Sequence, residues 1–380
     1  MRLALFMPSD TPFYRGLFGS LQKAFERHGF TVRGRCGFLE GKRLNDFIAE
    51  YSPNVFFEMN RCKAEIDGFP EKITHVSWLV DLSGRKLEAI RGSELVCFFS
   101  SEWMADYLPE KGCKSLWLPP ASDPDNYFPV SIPKTFESVF VGHIPKPWDQ
   151  KLLERPICFR NSAAATFRDV VETFETRWGE QDTIVNNDRY LQEVELWLES
   201  RGRGETLHDD ATLRYDIGCR IIRTARRKYF LDWLLRNESV EPMAIFGGEN
   251  WKLWDDYARL YGGELGTPTE LNEAFNRSKT VIHEGVGPHF RVFDAMLSGV
   301  PVVVRKSVQD REFGGLGTMA AEGEEYIALD VGQDRGLLSE LLRHPETLRR
   351  IGENGRNKAL AQHTWYHRLS ETSEEIKKRG

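Results

Sequence analysis

Arg291 and Asp294 stand one helical turn apart in the run FRVFDAML, and just before that run the chain places Gly285, Gly287 and His289. Residues of these types at this spacing suit an anion. Glycines let the backbone turn tightly into a helix, the first helical N–H groups and the positive end of the helix dipole attract a phosphate, and Arg291 adds a fixed charge. Asp294 can accept from a ribose hydroxyl. The competing reading is an ordinary strand–helix crossover in which Arg291 and Asp294 form a one-turn ion pair worth only a few tenths of a kcal/mol.

This chemistry needs a frame, and the flanking sequence predicts one. Residues 280–283 read as a strand, the segment from Glu284 to His289 as a loop, and about 290–298 as a helix stopped by Gly299. Residues 300–304 read as a second strand.

The whole chain has 380 residues, 41% of them hydrophobic, and a formal net charge of −6. That length accommodates two domains, each burying its own core. No apolar run approaches the roughly 20 residues of a membrane span, and MRLALFMPSD turns polar too soon for a signal peptide, so a cytoplasmic location is expected. The cysteines (36, 62, 97, 113, 158 and 219) are scattered without a CxxC pair, which predicts reduced thiols and neither a zinc site nor a disulfide framework. The acidic balance does not suggest a nucleic-acid binder.

The first third alternates strands (2–7, 31–34, 54–59, 73–80, 95–100, 115–118) with helices (18–28, 44–50, 101–108), the last capped by Ser100 or Ser101. Strands apolar on both faces belong to a parallel sheet covered by helices on each side. The stretch PPASDPDNYFPVSIP, residues 119–133, reads as a linker. A strand at 138–143 then restarts the pattern. The expected class is α/β, with two Rossmann-like domains (1–133 and 134–365) facing each other across a cleft and a terminal helix, 366–380, packing back on the first. Residues 148–236 show helical spacing at 167–178, 190–201 and 211–235 and no strand, which predicts a helical insertion in the second domain. Strands resume at 243–246 and, beyond the unit above, at 326–328. Helices follow from about 336, the last over 363–378. There is no short-period repeat and no low-complexity segment.

Taken in order, FVGH (140–143), IFGGENW (245–251), FRVFDAMLSGVPVV (290–303), EGEEYIALD (322–330) and LLRHPETLRRIGENGRNKALAQHTWYHRL (341–369) resemble the GT-B glycosyltransferases. The second half is similar to the branch related to the spore-maturation protein CgeB. In the first half SWLVD (77–81), CFFSSEWMADYL and LPPASDPDNYFPV look similar too. The likeness covers most of the chain apart from the helical stretch.

The resemblance implies transfer of a sugar from a nucleoside diphosphate sugar, the donor held by the C-terminal domain and the acceptor by the N-terminal one. Neither a metal nor a cofactor beyond the co-substrate is implied, and no DxD sequence stands at a suitable loop. As the glycosidic bond breaks, charge grows on the departing diphosphate, so fixed positive groups beside it lower the barrier. Arg291, the N–H groups of 285–290, His289 and Lys146 are the expected sources. Gly142, His143, Gly247, Trp251, Glu284 and Phe290 complete the expected donor site, with Asp294 on the ribose. The acceptor stays open among protein, lipid-linked saccharide, polysaccharide and modified DNA. So does a second class of function, a nucleotide-sugar-binding or scaffolding protein that has lost catalysis.

Retaining members of this architecture often carry a glutamate pair across the loop. The register set by Asp294 puts Val286 at the first position, with Glu284 two residues away, so the stereochemical outcome is open. An inverting reaction needs a general base near the acceptor hydroxyl. Asp81, at the end of an apolar strand, is the first candidate, its alternative role being to cap the turn Asp81-Leu82-Ser83-Gly84. Glu58 and Glu102 follow, Glu102 with a rival role at a helix N-terminus. Arg15 and Gly16 lie in a glycine-bearing segment, 9–19, that lacks GxGxxG spacing and is read as a loop on the acceptor side. Trp251 is read either as lining the donor site or as core. Arg220, Arg223, Arg227 and Lys228 in RIIRTARRKYF read as a solvated helix face; the alternative is a salt-sensitive docking surface for an acidic acceptor.

Overall fold

Two parallel sheets of six strands carry the molecule. A computed structural model describes residues 1–82, 85–159, 162–181, 187–200, 211–285 and 287–379. Val286, the Ser83-Gly84 half of the turn after Asp81 and the end of the helix expected over 190–201 lie outside the described residues.

The first sheet contains β1 (Arg2–Met7), β2 (Thr31–Cys36), β3 (Val55–Met59), β4 (Thr74–Leu79), β5 (Leu95–Phe98) and β6 (Lys114–Trp117), in the order β2-β1-β3-β4-β5-β6. β3, β4 and β5 are buried throughout, as strands covered on both faces must be. Between them run α1 (Pro12–Arg27), α2 (Gly41–Tyr51) and α3 (Ser101–Asp106). α1 starts six residues before the expected 18–28: Thr11 caps it by accepting from the Tyr14 N–H at 3.3 Å, and Pro12 takes the first helical position, where its missing N–H is no loss. The segment read as a glycine-bearing loop is therefore mostly helix, with Arg15, Gly16 and Gly19 in its first turns.

Residues 119–133 form no helix or strand, yet they are no free tether. Ala121, Ser122 and Asp123 are buried, Asp123 accepts from Ser20 at 2.9 Å, and Asn272 and Asn276 hold the backbone N–H groups of Phe128 and Val130 at 3.2 and 2.8 Å.

After β7 (Phe136–Val141) comes the insertion, which the sequence reading made wholly helical. It also holds an antiparallel hairpin, β8 (Pro156–Phe159) with β9 (Ser162–Thr166), beside α4 (Gln150–Leu153), α5 (Phe167–Glu180), α6 (Asn187–Glu199) and α7 (Ala211–Tyr215). Two strands of only four and five residues, PICF and SAAAT, leave too little alternation to register in the sequence. Phe167, Phe174, Trp178, Tyr190 and Val194 give the insertion a core of its own. A π-helical turn, Asp216–Ile221, leads into α8 (Ile222–Asn237).

The second sheet adds β10 (Met243–Phe246), β11 (Tyr261–Gly263), β12 (Ser278–His283), β13 (Val302–Arg305) and β14 (Ile327–Leu329), in the order β11-β10-β7-β12-β13-β14. The three-residue β11 carries two glycines and was not anticipated. Helices α9 (Asp255–Ala258), α10 (Pro268–Asn276), α11 (Phe290–Leu297), α12 (Leu337–Leu342), α13 (Pro345–Gln362) and α14 (Trp365–Arg379) complete the chain. α14 crosses back to the first domain: Trp365, Leu369 and Ile376 join its core, and Glu375 accepts from Lys114 at 2.8 Å. Among the described residues no helix is long and apolar enough to cross a membrane.

Strand order reverses between β7 and β12, so the connections leaving their carboxyl ends diverge to opposite faces and open a crevice. That crevice faces α1 of the first domain.

Candidate active site

The crevice holds a cavity of about 360 Å³ bordered by both domains. Its walls are the loop after β7 (Gly142, His143), the loop after β10 (Gly247, Gly248), residues 264–268 leading into α10, and the head of α11 (Phe290, Arg291, Asp294). From the first-domain side come Phe13, Gly16 and Ser20 of α1, with Asp123 and Tyr127 of the crossover.

Glycines make the floor possible. A Cβ on Gly247, where φ is +152°, would lie 2.0 Å from the Gly142 carbonyl oxygen, so the two loops touch backbone to backbone. The same carbonyl accepts from the Trp251 indole N–H at 2.8 Å. Trp251 is fully buried and packs edge-on against Phe140 and Tyr257. It holds Gly142 from behind and is not among the residues lining the cavity.

The head of α11 opens on the cavity. His289 caps it, its Nδ1 accepting from the Arg291 N–H at 3.3 Å, and stacks on His283 with ring centroids 4.6 Å apart. Burial, the neighbouring imidazole and Arg291 press the His289 pKa well below the usual range, so the cap is a neutral acceptor at pH 7. Phe290 is buried against Phe13, Phe99, Trp78 and Trp365, ring to ring across the domain boundary. Arg291 is half-buried and pairs with Asp294 at 3.3 Å.

Asp294 is buried. It also accepts from Ser122 of the crossover at 2.7 Å and from the Tyr127 hydroxyl. Burial lifts its carboxyl to about 6, although Arg291, Ser122 and Tyr127 all favour the ionised form. Three of its roughly four lone-pair sites are thereby used, leaving about one for a ligand.

Glu284 and the cation run on α8 sit differently from the sequence reading. Glu284 is buried and accepts from Arg227 Nε at 2.5 Å, with His283 on its other side. Burial opposes its ionisation, but Arg227 and His283 outweigh it and hold the carboxyl at about 2. α8 is thus no solvated face. Ile222, Thr224 and Ala225 are buried, Arg220 lies over the Trp148 ring at 4.0 Å and Arg226 donates to Tyr190, while Lys228 meets Glu175. Of the cations read as a docking surface, Arg220, Arg227 and Lys228 are thus engaged within the protein. Arg223 differs from its neighbours. It has no carboxylate partner among the described residues, and with burial and Arg227 it lowers the pKa of His143 on the cavity wall.

The remaining candidates lie elsewhere. Glu58 is fully buried in the first domain, gripped by Arg61 at 2.7 and 2.8 Å and by His75 at 3.2 Å. Glu102 accepts from Ser100 within the first turn of α3. Arg15 is exposed and paired with Asp10, and Lys146 is exposed with its carbonyl accepting from Arg220. Asp81 follows β4, its N–H bonded to Asn60, and its charge reaches Tyr14 of α1; it is not on the cavity wall. Gly285 and Gly287 shape the loop behind the wall: a Cβ on Gly285 would sit 2.5 Å from His283 Nε2, and Gly287 has φ +83°. Among the described residues no group of three or more His, Cys, Asp or Glu is placed to hold a metal ion.

Phe13, Asp123, Tyr127 and the 264–268 segment line the cavity without having been singled out in the sequence. The last had a usable signal: Thr267-Pro268-Thr269-Glu270 is a capping box with proline at the first helical position, the mark of a helix beginning at the cleft.

Residues 223–374 match the family model described as Glycosyl transferase-like (Glyco_trans_1_2). No curated protein matches the chain. Among solved structures, an alpha-glucosyltransferase in complex with UDP and a 13-mer DNA containing an HMU base is 11% identical, with a TM-score of 0.56 over 99% of each chain. An alpha-glucosyltransferase in complex with UDP is 10% identical, with a TM-score of 0.54 over 99% of this chain and 100% of that one. The fold is GT-B. Together with the matched region it defines the class: an enzyme of the GT-B glycosyltransferase type.

Proposed function

We propose that the protein moves a sugar from a nucleoside diphosphate sugar to a hydroxyl of an acceptor without a metal ion. The observation that carries this reading is the cavity at the reversal of the second sheet, with Arg291 and the head of α11 on its wall and α1 of the other domain opposite. In it the diphosphate lies against Arg291 and the α11 N-terminus, with Arg223 behind His143 adding positive potential. These groups meet the charge that grows on the leaving diphosphate. The spare acceptor capacity of Asp294 takes a ribose hydroxyl. On the acceptor side we assign Asp81, at the end of β4 and off the cavity wall, as the base for an acceptor hydroxyl that approaches past Tyr14 of α1. The structural neighbours were solved with UDP, which makes UDP-sugars the first donors to test. The CgeB-like branch is our finer placement and rests on the motifs quoted above. A cytoplasmic location agrees with the unbridged thiols of Cys36, Cys62, Cys97 and Cys113.

A second reading has an observation in its favour: of the carboxylates singled out for chemistry, only Asp294 reaches the cavity wall. A protein that binds the nucleotide sugar without turning it over fits that arrangement. Release of nucleoside diphosphate from a panel of UDP- and other nucleotide sugars separates the two. Transfer gives release that falls in Arg291→Ala; a pure binder gives thermal stabilisation by donor with no release.

A further inference from the structure

On the opposite edge of the second sheet, where β12 and β13 begin, lies a second and larger cavity of about 680 Å³. Its walls are the crossover, the end of α11 and the first turns of α13. Val130, Pro301 and Leu348 give it an apolar floor, and Lys134, Lys279, Arg349 and Arg356 ring it with four cations. Two of these are spent: Lys279 pairs with Glu137 at 2.7 Å, and Arg349 with Glu346 and Glu353 at 3.0 and 2.6 Å.

Lys134 and Arg356 have no carboxylate partner among the described residues. Among the described residues Arg356 Nε is moreover buried without a hydrogen-bond partner, a state that native proteins mostly avoid. The wall carries one carboxylate, Glu353, already engaged by Arg349. An apolar floor beneath unspent positive charge is complementary to a ligand with a compact anionic head and a small apolar body.

We propose that this cavity is a second binding site, separate from the cleft, for such an amphipathic anion, its head held by Arg356 and Lys134 and its body on Val130, Pro301 and Leu348. The site abuts the reaction centre through one element. α11 begins at the cleft and ends in Ser298 and Gly299 on this wall, roughly 12 Å away at the helical rise. The rival account is that the cations merely complement the carboxyl ends of α10 and α11, in which case an added anion gains nothing.

Phenyl phosphate is the probe, titrated into the full chain by calorimetry, with inorganic phosphate as the head alone. The expected result is one saturable site, with affinity about tenfold lower in Arg356→Gln and in Lys134→Gln, unchanged in Arg291→Ala, and weaker for inorganic phosphate. Lys134→Gln alters an exposed side chain and keeps the test valid should Arg356→Gln fold poorly. Absence of saturable binding, or binding that Arg291→Ala abolishes while Lys134→Gln leaves it intact, overturns the site. Equal affinity for inorganic phosphate overturns its amphipathic character.

Discussion

Arg291 has two partners to choose between, a carboxylate one turn along its own helix and whatever anion enters the cleft. Its substitution tells them apart. If it stabilises a departing diphosphate, Arg291→Ala lowers turnover about a hundredfold, the usual loss when one fixed donor to a developing anion is removed. If it serves only Asp294, turnover stays within a factor of two or so. Steady-state release of nucleoside diphosphate reads the difference. Asp294 provides a second test, because its folded carboxyl sits at about 6, above its ordinary value. A raised carboxyl pKa means that the folded state binds the proton more tightly. The stabilisation is therefore complete at low pH and lost as pH rises through about 6. Asp294→Asn keeps an acceptor for Ser122 but has no charge to bury. Its stability relative to the parent should climb between about pH 4 and 6.5, by about 3 kcal/mol in urea melts. Parallel profiles would mean that the carboxyl does not titrate in that window.

At the scale of elements, α8 and the loop after β12 form one unit held by Arg227 and Glu284. Glu284→Gln leaves a buried guanidinium whose Nη1 already lacks a partner among the described residues. The expected loss is about 3–5 kcal/mol at pH 7 by chemical denaturation. Because Glu284 titrates at about 2, below its ordinary value, its contribution is present above about pH 4.5 and fades as pH falls through 2, so parent and variant should converge in acid. These elements also show what the sequence could tell. The strand–glycine–helix unit around Arg291 was legible, because glycine, cap and apolar period are local signals. The partner of Glu284 was not. Cations spaced along α8 and the turn before it look the same in sequence whether they meet water or, as here, Trp148, Tyr190, Glu175 and Glu284 from distant segments. The hairpin in the insertion and the three-residue β11 were illegible for another reason: so few residues carry no period.

Across the whole molecule, the domains meet through close contacts. Gly16 of α1 faces Pro268 of α10 so tightly that a Cβ would lie 3.0 Å from the proline ring. Gly16→Leu should wedge the cleft open, raising the radius of gyration in small-angle scattering and weakening donor binding while leaving helix content intact. No change in either would mean that the lobes already move freely about this point. The proline-rich stretch read as a linker is likewise fastened at both ends, to Asp294 by Ser122 and to α10 by the amides of Asn272 and Asn276.

Phe290 ties these scales together. Its ring is anchored among aromatics of one lobe, while its backbone begins the very turn that would cradle the leaving group in the other. Lobes cannot part without dragging that ring into water, at a cost of about 1.5–3 kcal/mol, and distorting the cradle as it goes. Emptying the cleft and dismantling its grip on the spent nucleotide thus become a single mechanical event.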